Sequence, residues 1–374
     1  MIRASHVYRL GTKELWSILR DPIMLVLIGY GFSLLIYIAA TSMPDTLNKV
    51  PIAIVDEDRS PLSTRIVSAF RPPEFQPPFL VDLKEVDAGL DAGYFTFSLD
   101  IPPNFQRDVL AGKTPSIQLN VDATRMSQAF SGAGYANQIV MEEINTFVQR
   151  YQQTVAEQVE LAYRIRFNPN MSQKWFGSII ELMNMVTMLS IILAGAALIR
   201  EREHGTIEHL LVMPMTPIEI MLAKVWATGL IVLIASTLSV TFVVKGWLGI
   251  PIQGSVWFFV LLTGLYLFST TSMGIFMATI ARSMPQFGLL MMLVMMPMLM
   301  LSGGVTPRES MPLIARVLMD FMPSTHYVSG TQAILYRGAG IEVISLEILS
   351  LLAIGLVFFT VSLLRFRQSV SQAA

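Results

Sequence analysis

Residues 22–41 form a run of about 20 positions without one charged side chain. A helix of that length crosses the roughly 30 Å hydrocarbon core of a bilayer. Asp21-Pro22 is a strong start for it, with Asp as N-cap and Pro at the first helical position. Further apolar stretches cover 176–199, interrupted by Glu181, the interval between Lys224 and Lys245, and 256–281. Two more cover 286–301, with Pro297 and Gly303-Gly304 marking a kink or break, and the interval between Glu347 and Arg365. The expected fold is therefore an α-helical membrane protein with six transmembrane helices. Composition agrees: 53% of residues are hydrophobic and 14% charged, against about 25% charged in soluble domains. A net charge of −1 gives no bulk electrostatic drive toward nucleic acid. The absence of cysteine excludes thiol catalysis, disulfides and thiolate metal sites. The small-residue patch Ala39-Ala40-Thr41 follows a run too long for a signal-peptide core, so that run is expected to be a retained anchor.

Residues 42–175 have a different character, rich in Pro, Asp and Gln with short apolar runs. Segments 50–55, 93–101 and 116–121 read as strands, Ser60-Pro61 and Asn104 as helix starts, and 126–167 as mostly helical. This is expected to be an α/β extracytoplasmic domain inserted between the first two spans, large enough for its own core. Residues 176–374 then carry the other five spans. Arg3, Arg9, Lys13, Arg20, Arg200, Arg202, Lys224, Arg282, Arg365 and Arg367 flank the spans on one side. The positive-inside rule makes that side, and both termini, cytoplasmic. Lys245, Arg308, Arg316 and Arg337 run against the bias. Within residues 1–21, Arg9, Lys13 and Arg20 fall near one helical face and Tyr8, Leu15, Ile18 and Leu19 near the other. That pattern suits an interfacial amphipathic helix, with a solvated lead-in as the alternative.

The segment after the second span carries the densest signal. Arg200, Glu201, Arg202 and Glu203 end a membrane helix with alternating charge, and Gly205 permits a sharp turn. Thr206 can cap a short helix with Leu210 and Leu211 as an apolar ridge, and Pro214 stops it. Thr216-Pro217-Ile218-Glu219 is a capping box that launches the third span. The result is a short cytosolic element at about 204–214 that can turn a partner's movement into helix tilt; an ordinary interfacial loop is the other reading. His204, Glu208 and His209 miss the inverted zinc spacing by one residue, so capping and partner contacts are preferred over a metal. Glu181, the one acid inside an expected span, and Asn184 one turn on are candidates for a substrate path. Trp175 and Phe176 beside Glu181 suggest an interfacial aromatic belt instead. Met292, Met295 and Met296 in the fifth span are further path candidates, with packing as the alternative role. Thr270, Gly274 and Ala278 recur every four residues and allow close helix approach. Thr306-Pro307-Arg308-Glu309 repeats the capping-box pattern and should start a short outward helix. An outer re-entrant region at about 302–340 is expected to form a gate involving Gly303, Gly304 and Pro307.

Arg200-Glu-Arg-Glu-His-Gly-Thr-Ile-Glu-His-Leu-Leu resembles the coupling-helix signature of the ABC-2 type transporter permeases. Lys13-Glu14-Leu15 is similar to the start of their elbow helix. Phe97-Ser-Leu-Asp-Ile-Pro-Pro-Asn-Phe, Asp122-Ala-Thr-Arg and Ser302-Gly-Gly followed by Pro307 and Pro323 resemble the drug-export branch. The resemblance covers nearly the whole chain. It implies a permease that pairs with a second permease, identical or not, in a bacterial inner membrane. It implies cytoplasmic ABC ATPase subunits gripping Glu201, Arg202, Glu203, His204, Gly205, Thr206, Glu208, Leu211 and Pro214. ATP and Mg would sit on that ATPase, because the chain has no G-x-x-x-x-G-K-[ST] loop and is expected to be no enzyme and to hold no cofactor itself. Export of drug-like or amphipathic compounds by alternating access, a HlyD-type periplasmic adaptor and an outer-membrane channel are also implied. A membrane-anchored receptor binding ligand through the outer domain is the alternative, disfavoured by six spans and a cytosolic lever.

Overall fold

The computed structural model describes residues 3–42, 49–122, 126–151, 173–203 and 215–373. It divides into two compact units, residues 1–43 with 166–374, and residues 44–165.

The first unit is helical. Helix α1 is Ala4–Leu19, and α2 is Pro22–Thr41 with a π-helical turn at Gly31–Leu35. The expected cap is present: Asp21 Oδ1 accepts from the Ile23 and Met24 N–H groups at 3.0 and 3.3 Å. Next come α7 (Gln173–Glu203), α8 (Pro217–Trp247, π-helical from Ser239), α9 (Val256–Ile280) and α10 (Met284–Met300). The last are α11 (Leu313–Asp320), α12 (Pro323–Arg337) and α13 (Ile341–Ala373). Among the described residues, five helices (α2, α7, α8, α9 and α13) are long and apolar enough to cross a membrane. The sixth expected span, α10, stops at 17 residues with Pro297 in its last turn. It is largely apolar but shorter than the others, so by length and composition five described helices are candidate spans and α10 is not among them.

Two expected boundaries move. Helix α8 begins at Pro217, so Lys224 lies two turns inside the third span rather than ahead of it. Helix α13 begins at Ile341, which puts Glu347 in its second turn, accepting from Ser329 Oγ of α12 at 3.0 Å. Helix α9 is the central packing element. Thr263, Tyr266, Thr270, Gly274 and Ala278 are all buried in it. A Cβ on Gly274 would lie 2.6 Å from the Ile191 carbonyl oxygen, so α7 and α9 meet there because the side chain is a hydrogen. Ser190 Oγ donates to Thr270 Oγ1 at 2.7 Å one turn away. The small-residue stripe noted in the sequence is this α7–α9 contact.

The second unit is built on a four-stranded sheet in the order β2-β1-β3-β4. Strands β1 (Ile52–Asp56), β2 (Phe79–Leu80) and β3 (Phe97–Ile101) are parallel, and β4 (Gln118–Val121) runs antiparallel to β3. The connecting helices are α3 (Pro61–Ala69), α4 (Leu83–Asp91) and α5 (Phe105–Leu110), and α6 (Met126–Tyr151) follows the last strand. Alternate residues Ile52, Ile54, Phe97, Leu99 and Ile101 form the core with Leu62 and Ile66 of α3 and Ala136, Val140 and Phe147 of α6. Strands β1, β3 and β4 fall in the segments read as strands, whereas the two-residue β2 carries no period to read. Ser60 caps α3 reciprocally with Ser63, at 2.9 and 3.1 Å. Asn104 precedes α5 as expected, but it adopts a left-handed conformation (φ 64°) and its side chain makes no cap.

Candidate functional site

Residues 204–214 lie outside the described residues, and with them His204, Gly205, Thr206, Glu208, Leu211 and Pro214. Their flanks, the end of α7 and the start of α8, are described in full.

Lys224 is buried, with its Nζ 2.8 Å from Glu201 Oε1 and 3.1 Å from Glu14 Oε1. The three side chains are 2%, 15% and 9% exposed respectively. A buried ammonium persists only beside opposite charge, and here two carboxylates supply it from α7 and α1. The neighbouring charges are also tied down. Arg202 Nη1 donates to the Ala281 carbonyl at 2.7 Å, holding the end of α9. Glu203 Oε1 accepts the Met284 N–H at 3.0 Å, meeting one of the unsatisfied donors at the start of α10. Arg200 lies 3.5 Å from Asp21, the cap of α2. Glu219 closes the α8 capping box by accepting from Thr216 N–H at 2.7 Å, and takes the Arg3 N–H at 2.7 Å. The ends of α1, α2, α7, α8, α9 and α10 thus meet in one polar cluster.

Helix α1 packs on α8 through Leu10, Gly11, Glu14 and Ile18. Any Cβ on Gly11 would enter the Trp226 ring. That ring is held by a 3.2 Å hydrogen bond from Nε1 to the Val7 carbonyl and by a parallel stack with Tyr8. Of the four residues assigned to the apolar face of α1, only Ile18 is buried; Tyr8 and Leu19 stay exposed. The true packing face contains an acid, which hydrophobic periodicity cannot register. The signal for this cluster was Lys224 itself, a cation placed beyond a capping box inside an otherwise apolar helix.

Inside the bundle, Glu181 and Asn184 are half-buried on α7, with Asn184 Nδ2 3.5 Å from Glu181 Oε2. They lie on a single open stripe with Gly177, Ile180, Met188 and Ile192, while the rest of 178–199 is buried. Trp175 is buried against Tyr336 rather than facing outward, and Phe176 is exposed. The path methionines part company. Met295 is 4% exposed in the core, and Met292 and Met296 are 62% and 59% exposed.

Beyond α10, Gly303 takes a positive φ of 95° and Gly304 sits over Ile180. The Thr306–Glu309 capping box is not formed. Pro307 instead opens a three-residue 3-10 turn, Arg308–Ser310, held to Asp320 by Arg308, and the helix proper is α11. Helix α12 is deeply packed. Tyr327 stacks on Tyr266 with centroids 4.0 Å apart and planes 4° from parallel. The two hydroxyls pair with Thr263 at 3.1 Å and Thr187 at 2.6 Å. Nothing in the spacing of these residues announced that polar centre. Among the described residues, no three His, Asp or Glu side chains gather as metal ligands.

A family model described as ABC-2 family transporter protein matches residues 16–364. The chain is 57% identical over 369 residues to the inner membrane transport permease YhhJ of Escherichia coli (strain K12), covering 99% of each. It is 26% identical over 367 residues to the same organism's "Probable multidrug ABC transporter permease YbhR", covering 96% of this chain and 97% of that protein. It is also 26% identical over 384 residues to the "Probable multidrug ABC transporter permease YbhS", covering 97% of each. Matched by that family model over residues 16–364 and 57% identical to YhhJ over nearly its whole length, the chain belongs to the ABC-2 family of transporter proteins.

Proposed function

We propose that the chain is the membrane-spanning permease subunit of an ATP-driven exporter in a bacterial inner membrane, multi-pass with both termini cytoplasmic. The observation that carries this reading is the polar cluster on either side of residues 204–214. Glu201 and Lys224 bracket that segment and are pinned to each other and to Glu14. A push on the segment therefore reaches α1, α7 and α8 together, and through Arg202 and Glu203 also α9 and α10. Packed, hydrogen-bonded elements of this kind move as units rather than deforming continuously.

The push comes from a cytoplasmic ABC ATPase on another chain, with its ATP and Mg, docking on 204–214. A second permease, identical or homologous, completes the pathway. The half-buried stripe of α7 with Glu181 and Asn184 supports a role in lining it, and Gly303, Gly304 and Pro307 belong to the outer gate. Drug-like or amphipathic compounds are the substrates, consistent with the names of YbhR and YbhS. A HlyD-type adaptor and an outer-membrane channel are further partners in that scheme. Co-purification tests the docking. The chain should retain an ABC ATPase encoded with it, and a Gly205→Pro variant should insert normally yet lose it. Equal retention by wild type and variant would remove the segment as the docking site.

A further inference from the structure

A cleft of about 230 Å³ opens between α1 and α7, beside the Lys224 cluster. Lys13, Glu14 and Ser17 line it from α1, and Arg200 and Glu201 from α7. Ile18 and Ala197 make its apolar floor. Its depth is set by Arg200, which reaches Asp21, the residue that caps the first turn of the α2 span. The first turn of a spanning helix marks the headgroup level of the bilayer. The charges in and around the cleft balance: Lys13, Arg200 and Lys224 against Glu14, Glu201 and Asp21. A net anion would unbalance this set, and so would a net cation. A ligand carrying both charges a few ångströms apart would not.

We propose that this cleft binds the headgroup of a zwitterionic aminophospholipid, a phosphoethanolamine, from the leaflet on the side of residues 204–214. Its phosphate meets the Lys13 ammonium, the Arg200 guanidinium and the Ser17 hydroxyl. Its primary ammonium donates to the Glu14 and Glu201 carboxylates that line the cleft. The apolar floor receives the methylene linker, and the acyl chains leave toward lipid. A quaternary choline headgroup has no N–H to donate and forfeits the charge-assisted hydrogen bond. A phosphatidylglycerol headgroup lacks the cation altogether.

The test is lipid retention by the detergent-purified full chain, equilibrated with equal amounts of phosphatidylethanolamine, phosphatidylcholine and phosphatidylglycerol and read by native mass spectrometry. The wild type should retain phosphatidylethanolamine about tenfold over phosphatidylcholine, the value of one charge-assisted hydrogen bond. Lys13→Gln should lower retention of all three lipids, because the phosphate it meets is common to them. Ser17→Trp, which fills the cleft and keeps every charge, should erase the preference, and size-exclusion profiles identify any variant that has misfolded. Free phosphoethanolamine at the same concentration should not displace the lipid; displacement would reassign the cleft to a soluble ligand. Equal retention of the three lipids by wild type, a preference for phosphatidylglycerol, or an unchanged preference in a folded Ser17→Trp variant would overturn the proposal.

Discussion

Replacing Lys224 by methionine removes the cation that buried Glu14 and half-buried Glu201 share among the described residues. At 2.8 and 3.1 Å, each contact is worth roughly 5 kcal/mol of gross attraction at an effective dielectric of about 20. Desolvation of the three ions offsets much of that, several kcal/mol per ion. The net balance is therefore small, but the balance after substitution is not. Buried Glu14 and half-buried Glu201 would then face each other without the Lys224 charge. Breaking a buried pair in this way costs about 3–5 kcal/mol. For a unit of this size that is a drop in melting temperature of roughly 10 °C. The assay is heating of the detergent-purified full chain, followed by fluorescence-detected size exclusion. The triple variant Glu14→Gln, Glu201→Gln, Lys224→Met removes charge from both sides and should recover most of the loss. Melting of the single variant within about 2 °C of wild type would refute the reasoning. So would a triple variant that melts as low as the single one.

Gly11→Ala should push the Trp226 ring off the Val7 carbonyl, loosening α1 by about 1–3 kcal/mol. Faster protease cleavage within α1 and a shifted Trp emission would report it, and wild-type behaviour in both would contradict it. Gly274→Leu places a side chain against the Ile191 carbonyl and should separate α7 from α9, with a fall in melting temperature at least as large. In the α/β unit, the hydrogen bond from Lys113 holds the Asp108 carboxyl below the usual carboxylate range, helped by the charges of Lys113 and Arg107. Lys113→Ala should therefore raise the Asp108 titration midpoint toward the usual value of about 3.9, read by NMR of the side-chain carboxyl. An unmoved or lowered midpoint would deny the interaction.

The spans were legible because an uncharged run long enough to cross a bilayer has few other stable fates. Asp21 and Thr216-Pro217 located two helix starts, and Ser60-Pro61 located α3, since caps are local chemistry. Lys224 was misplaced because a charge reads as a boundary when its partners, Glu14 and Glu201, are far away in sequence. Glu14 hid for the same reason: an acid on a packing face breaks the apolar period that identifies such a face. The Thr306–Glu309 box failed because Pro312 follows so closely that only the 3-10 turn Arg308–Ser310 fits before it. The Tyr266–Tyr327 stack joins α9 to α12 through long-range packing, which no spacing within either helix encodes.

Under the proposed function, this chain carries a substrate across the membrane when an ATPase pushes on residues 204–214. The most direct measurement is substrate movement in proteoliposomes containing the chain and its ABC ATPase, with ATP added on the ATPase side. Transport should stop without ATP, be absent without the chain, and be lost in Gly205→Pro while the variant remains folded and inserted. Transport that continues unchanged in Gly205→Pro, or that proceeds with no nucleotide, would contradict that function.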